Sequence, residues 1–159
     1  MTFRMWRGFT LIELVVTVAI LGILAMAAAP LLETTVRRQK EAELRASLRE
    51  IRGAIDAYRR AVDEGKIARK SNESGYPGRL EDLFLGVSDA QDPANGKIYF
   101  LRRLPRDPFS KEADATAAQT WIKRSYASPP DLPQEGSDVF DVHSRAEERG
   151  SNGVPYREW

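Results

Sequence analysis

The chain has 159 residues, 42% of them hydrophobic and 30% charged, with a formal net charge of +1. That length suits one small domain with an appendage, and the apolar content excludes a wholly disordered chain. There is no cysteine and one histidine, His143, which excludes disulfide frameworks, thiolate metal sites and multi-histidine centres. The near-neutral charge gives no global attraction to nucleic acid.

The charge is unevenly placed. Residues 1–32 carry a net +1, residues 33–70 a net +4 and residues 71–159 a net −4. The chain therefore reads as an apolar N-terminus, a basic stem and an acidic head. From Phe9 to Leu32 the sequence is FTLIELVVTVAILGILAMAAAPLL, 24 residues with one charge, Glu13. As a helix this run spans about 36 Å, enough for a bilayer core. Three readings compete. Arg4 and Arg7 before the run, and Ala25-Met26-Ala27 within it, fit a secretory signal peptide. A plain membrane anchor leaves Glu13 unused, although an acidic group at mid-span costs about 2.5–3.5 kcal/mol. The third reading cuts the chain between Gly8 and Phe9. A cationic amine then appears at Phe9, four residues before Glu13. The amine of a neighbouring subunit pairs with Glu13, offsetting its desolvation and fixing an axial stagger.

MTFRMWRG followed by FTLIELVV strongly resembles the processing signal of type IV pilins and type II secretion pseudopilins. The matching features are a short basic leader (residues 1–8), Gly8 at the cut, Phe9 as first mature residue and Glu13 five places into the mature chain. Gly22 and Pro30 extend the match. The resemblance implies cleavage by a prepilin peptidase, N-methylation at Phe9 and assembly through Glu13. Pro30 lacks an N–H and opposes the carbonyl of Met26, and Gly22 weakens a helix by about 1 kcal/mol relative to alanine. Residues 22–30 are thus expected to be a soft segment, helical in the membrane and able to stretch in a filament. Arg4 and Arg7 are nearly balanced by Arg37, Arg38 and Lys40 beyond the run, so charge does not set orientation. A single-pass inner-membrane protein, with a cytoplasmic N-terminus and a periplasmic head, is what the resemblance implies.

Next comes an amphipathic stem, residues 33–66. Leu44, Leu48, Ile51, Ile55, Tyr58 and Val62 form one apolar helical stripe, on which the head is expected to pack. Gly65 is the expected helix stop. Residues 67–159 form the head, which has few residues for a core of its own. Arg79 to Leu85 reads as a helical turn or two and Pro93 to Gly96 as a turn. Trp121 to Ala127 and Asp138 to His143 read as strands, separated by the proline-rich SPPDLPQEGS. The expected fold is α+β and pilin-like: a long N-terminal helix packed on a small antiparallel sheet. The basic stem and acidic head suggest head-to-stem contact between subunits.

The head segments YPGRLEDL, YFLRRLPRDPF, YASPPD and DVFDVHS are similar, in order, to those of the major pseudopilins of type II secretion, the general secretion pathway protein G group. Leu104, Pro105, Asp107, Pro108 and Phe109 carry the second of them. Membership implies a structural subunit of a homopolymeric periplasmic filament. Its partners would be copies of itself, minor pseudopilins, the prepilin peptidase, the inner-membrane assembly platform and membrane lipid. It also implies a calcium-binding C-terminal loop. Here the candidate ligands are Ser144, Glu148, Asn152 and Glu158, but Arg145 and Arg149 oppose a cation and the later Asp-x-Asp is replaced by Tyr156-Arg157-Glu158. The alternative is a loop held by hydrogen bonds, with Trp159 packed as an anchor. No catalytic constellation is found: His143 and Ser144 adjoin on a strand and face opposite ways, as do Asp138 and Asp141. Two other readings stay open, a type IV pilus subunit (adhesion, motility or DNA uptake) and a signal-anchored periplasmic enzyme or binding protein.

Overall fold

The computed structural model describes residues 9–69 and 71–159; residues 1–8 and 70, and the side chains of residues 27–32, lie outside the described residues. The leader and Gly8 therefore fall outside them. Helix α1 runs Leu11–Asp63. The chain divides into two compact units within this helix, one reaching to Gln39 and the other running from Lys40 to Trp159. Gly22 and Pro30 both lie inside α1, so the segment expected to be soft, residues 22–30, has a helical backbone.

In the second unit the stripe read from the sequence is the core. Leu44, Leu48, Ile51, Ile55, Tyr58 and Val62 are all buried, together with Leu80, Leu83, Leu104, Trp121, Val142 and Tyr156. The 4, 3, 4, 3, 4 spacing keeps these α1 side chains on one face, and each burial stabilises the fold by roughly 1.5–3 kcal/mol. Trp121 is fully buried, and its indole N–H donates to the Pro105 carbonyl at 2.9 Å. Gly65 ends the helix as expected. Its φ is +74°, its N–H donates to Val62 O, and the Lys66 N–H donates to Ala61 O. This is the reciprocal pair of a Schellman cap.

The rest of the head is irregular. Helix α2 is a single turn, Asp82–Leu85, shorter than the Arg79–Leu85 expected. Strands β1 (Val87–Ser88) and β2 (Lys97–Ile98) pair antiparallel, as do β3 (Trp121–Arg124) and β4 (Asp141–Ser144). Two separate two-stranded sheets thus replace the one sheet expected, and β1 and β2 were not read from the sequence at all. Two-residue strands carry too little periodicity to be seen.

The final strand also starts three residues later than expected. In β4, Ser144 pairs with Trp121 and Asp141 with Arg124. Ahead of it, the Val139 N–H donates to Pro77 O and the Phe140 N–H to Arg124 O. The Asp138 carboxylate accepts from Ser125 Oγ and the Tyr126 N–H, both at 2.8 Å. Asp138 competes with the ladder for backbone donors and delays it.

Gly65→Ala forces a Cβ into the left-handed region and should lower stability by about 1–2 kcal/mol. Urea denaturation of the purified chain would show this as a lower midpoint with an unchanged slope.

Candidate functional site

In the first unit, Thr10 directly precedes α1. Its Oγ1 accepts from the Glu13 N–H at 3.3 Å, and its carbonyl accepts from the Leu14 N–H at 3.1 Å. Thr10 is thus an N-cap, and Glu13 occupies the third helical position, where a carboxylate favours the positive end of the helix dipole. The sequence reading missed this role of Thr10, although Thr-x-x-Glu before an apolar run is a capping signature. Around Glu13 the apolar side chains stand open: Ile12 is 71% exposed and Leu14 58%. Leu11, Val15, Val18, Ile23 and Met26 are exposed as well. A helix apolar on all sides is stable only in apolar surroundings. Among the described residues no helix is long and apolar enough to cross a membrane, and the described side chains of the run break off at Met26.

The second unit carries the C-terminal loop, residues 144–159. Its first anchor is Asp107, from the Leu-Pro-x-Asp-Pro segment. Asp107 is buried; its Oδ2 accepts from Ser144 Oγ at 2.6 Å and the Arg145 N–H at 3.3 Å, and its Oδ1 accepts from the Phe109 N–H at 2.8 Å. As an Asp directly before Pro108, Asp107 marks only a local turn in the sequence. Its acceptance of donors 37 and 38 residues away is tertiary information.

Each of the four candidate calcium ligands has a partner within the chain. Ser144 is buried with its hydroxyl spent on Asp107. Glu148 faces Lys111 at 3.7 Å and Glu158 faces Arg157 at 3.9 Å. Asn152 Oδ1 accepts from the Val154 N–H at 3.1 Å. Among the described residues no three histidine, aspartate or glutamate groups cluster as a metal ion requires.

On the other flank, Arg52 of α1 ties β4 down. Its Nε donates to Asp141 Oδ1 at 2.8 Å, and one of its terminal nitrogens donates to Val142 O at 3.1 Å and Trp159 O at 2.7 Å. Asp141 also faces Arg124 at 3.6 Å. His143 lies in this cluster. Burial lowers its pKa below the ordinary 6.5; Asp141 pulls the other way, while Arg52 and Arg124 add to the lowering. Burial alone would raise the Asp138 carboxyl, but hydrogen bonds from Ser74, the Tyr126 N–H and Ser125 hold it below its usual range. Asp138 and Asp141 thus serve different partners, and His143 and Ser144 occupy opposite faces of β4, as the alternation of burial along it shows. Among the described residues these groups act as holding points for the last strand and the loop.

Residues 7–29 match the prokaryotic N-terminal methylation motif. Over 136 residues the chain is 32% identical to the type II secretion system core protein G of Pseudomonas aeruginosa, covering 85% of this chain and 86% of that one. The chain belongs to the type II secretion system core protein G family. The protein of the same description from Dickeya chrysanthemi is 27% identical over 158 residues, spanning 94% of this chain and 96% of the relative. A type IV major fimbrial protein, FimA of Dichelobacter nodosus, is 35% identical over 121 residues, 72% of this chain and 68% of its own. No solved structure gives a significant match. The similarity to core protein G runs through the head as well as the N-terminal motif.

Because the folded pKa of His143 lies below its unfolded value, the folded state binds fewer protons in the window below 6.5. Stability is therefore fully present above that value and falls as the pH drops through the window. Urea midpoints measured from about pH 8 to about pH 5 should decline, and His143→Gln should flatten the decline.

Proposed function

We propose that the chain is a structural subunit of the periplasmic pseudopilus of a type II protein secretion system, made as a membrane-stored precursor. The observation that carries this reading is a prepilin-type methylation motif over residues 7–29 joined to core-protein-G similarity over 85% of the chain. In this reading residues 9–32 cross the inner membrane with the N-terminus in the cytoplasm and the head in the periplasm. A prepilin peptidase cuts after Gly8 and the Phe9 amine is methylated. On entering the filament, Glu13 receives that cationic amine from a neighbouring copy. The exposed apolar side chains around Glu13 then pass from lipid to the packed helices of other subunits, which keeps apolar surface covered at every stage.

The function is mechanical. The hydroxyl of Ser144 is committed to Asp107, and His143 sits among Arg52, Arg124 and Asp141, an arrangement that braces a strand. Minor pseudopilins and the inner-membrane assembly platform are the further partners the reading requires. The fimbrial relative favours a second reading, a type IV pilus subunit.

Mass spectrometry of the mature N-terminus, from membranes of the native host, should find N-methyl-Phe9. An intact Met1, or an end near Ala28, overturns the proposal. Glu13→Ala should retain cleavage and lose filament incorporation, since the incoming amine then has no partner. A deletion strain that keeps its exported enzymes in the periplasm supports the secretion role, whereas loss of long surface pili supports the second reading.

A further inference from the structure

Three α1 side chains on one helical face, at positions 41, 45 and 52, reach the C-terminal loop. Glu41 is 2% exposed. Its carboxylate accepts from the Ser151 N–H at 2.8 Å, Ser151 Oγ at 2.5 Å and the Tyr156 hydroxyl at 3.0 Å. The Arg45 guanidinium lies 4.1 Å over the Trp159 ring, and Arg52 donates to Trp159 O at 2.7 Å. Tyr156 is clamped further between Phe109, stacked at 4.2 Å, and Trp159, edge-on at 4.9 Å.

We infer that the C-terminal loop is closed by a clasp of the chain's own donors on the buried Glu41 carboxylate, and that its closure does not depend on calcium. A buried carboxylate is costly unless its lone pairs are satisfied. Here the loop supplies one main-chain and two hydroxyl donors, so fastening the loop and satisfying Glu41 are one event. Calcium needs six to eight oxygens around a point. Of the oxygens this loop would contribute, Ser144 is spent on Asp107 and Asn152 on the Val154 N–H, while Glu148 and Glu158 face the cations Lys111 and Arg157 at 3.7 and 3.9 Å. The loop's own Arg145 and Arg149 add positive charge to its sequence, which further disfavours a divalent cation. The residue that holds this loop is therefore on the helix, about a hundred residues away in the chain. The inference holds whichever filament the chain builds.

The test is limited trypsin digestion of the full chain in detergent micelles, following cleavage after Arg149 by mass spectrometry, in excess chelator and in millimolar calcium chloride. The wild-type chain should be cut at the same rate in both. Glu41→Gln keeps the shape but loses the charge and an acceptor, and should be cut roughly tenfold faster in both, since opening governs cleavage. Ser151→Ala removes the hydroxyl donor and keeps the main-chain one. It should speed cleavage after Arg149 while sites in α1, such as Arg49 and Arg60, stay protected. It decides the matter if Glu41→Gln proves globally unfolded. Calcium that slows wild-type cleavage roughly tenfold overturns the inference, and so does wild-type cleavage in a folded Glu41→Gln or in Ser151→Ala.

Discussion

The apolar stripe of α1 from Leu44 to Val62 is the surface on which the head is assembled. Strands of two and four residues cannot form a core among themselves, and the four in this head total twelve residues in two separate pairs. The helix is already hydrogen-bonded along its length and presents Leu44, Leu48, Ile51 and Ile55 as a rigid apolar row. Trp121, Leu80, Leu83 and Val142 fill the row from the other side. Without the helix these side chains have nothing of matching extent to bury against.

A head with so little ladder has many loop amides to satisfy. Carboxylates do much of that work. Asp107 takes the amides of Phe109 and Arg145, Asp138 that of Tyr126, and Glu41 that of Ser151. At turns, Asp82 takes the Arg79 amide, and Asp92 takes those of Ala94 and Gly96. An ionised carboxylate accepts at two oxygens without needing a donor in return. Some of the acidic residues of the head, Asp82, Asp92, Asp107 and Asp138, are thus used to pin irregular backbone.

The two halves of the function follow from this division. In the proposed function, the N-terminal run is apolar all round because it is stored in one apolar environment and used in another. Glu13 is its one charged residue and sits where the capped helix end favours negative charge. The head keeps its polar commitments internal. Arg52 bridging Asp141, Val142 and Trp159, and Asp107 bridging Ser144 and Phe109, are holding contacts. They hold the last strand and the C-terminal loop against the helix.

Much was legible in the sequence because it is written locally. The apolar run, the single charge within it, the amphipathic stripe and the Gly65 stop all depend on spacing within a turn or two of helix. Such spacing determines which face is apolar before any tertiary contact forms. The pairing of Trp121 to Arg124 with the final strand was nearly legible, missing by three residues where Asp138 captures the Tyr126 amide. Tertiary structure alone decided the rest. That Asp107 meets Ser144, that Glu41 meets Ser151 and Tyr156, and that Val87 pairs with Ile98 are choices made when the loops close over the helix. A carboxylate on a surface and one in a buried clasp are the same letter in a sequence. What separates them is which donors the folded chain brings within 3 Å, and a linear spacing does not encode a contact between residues a hundred positions apart.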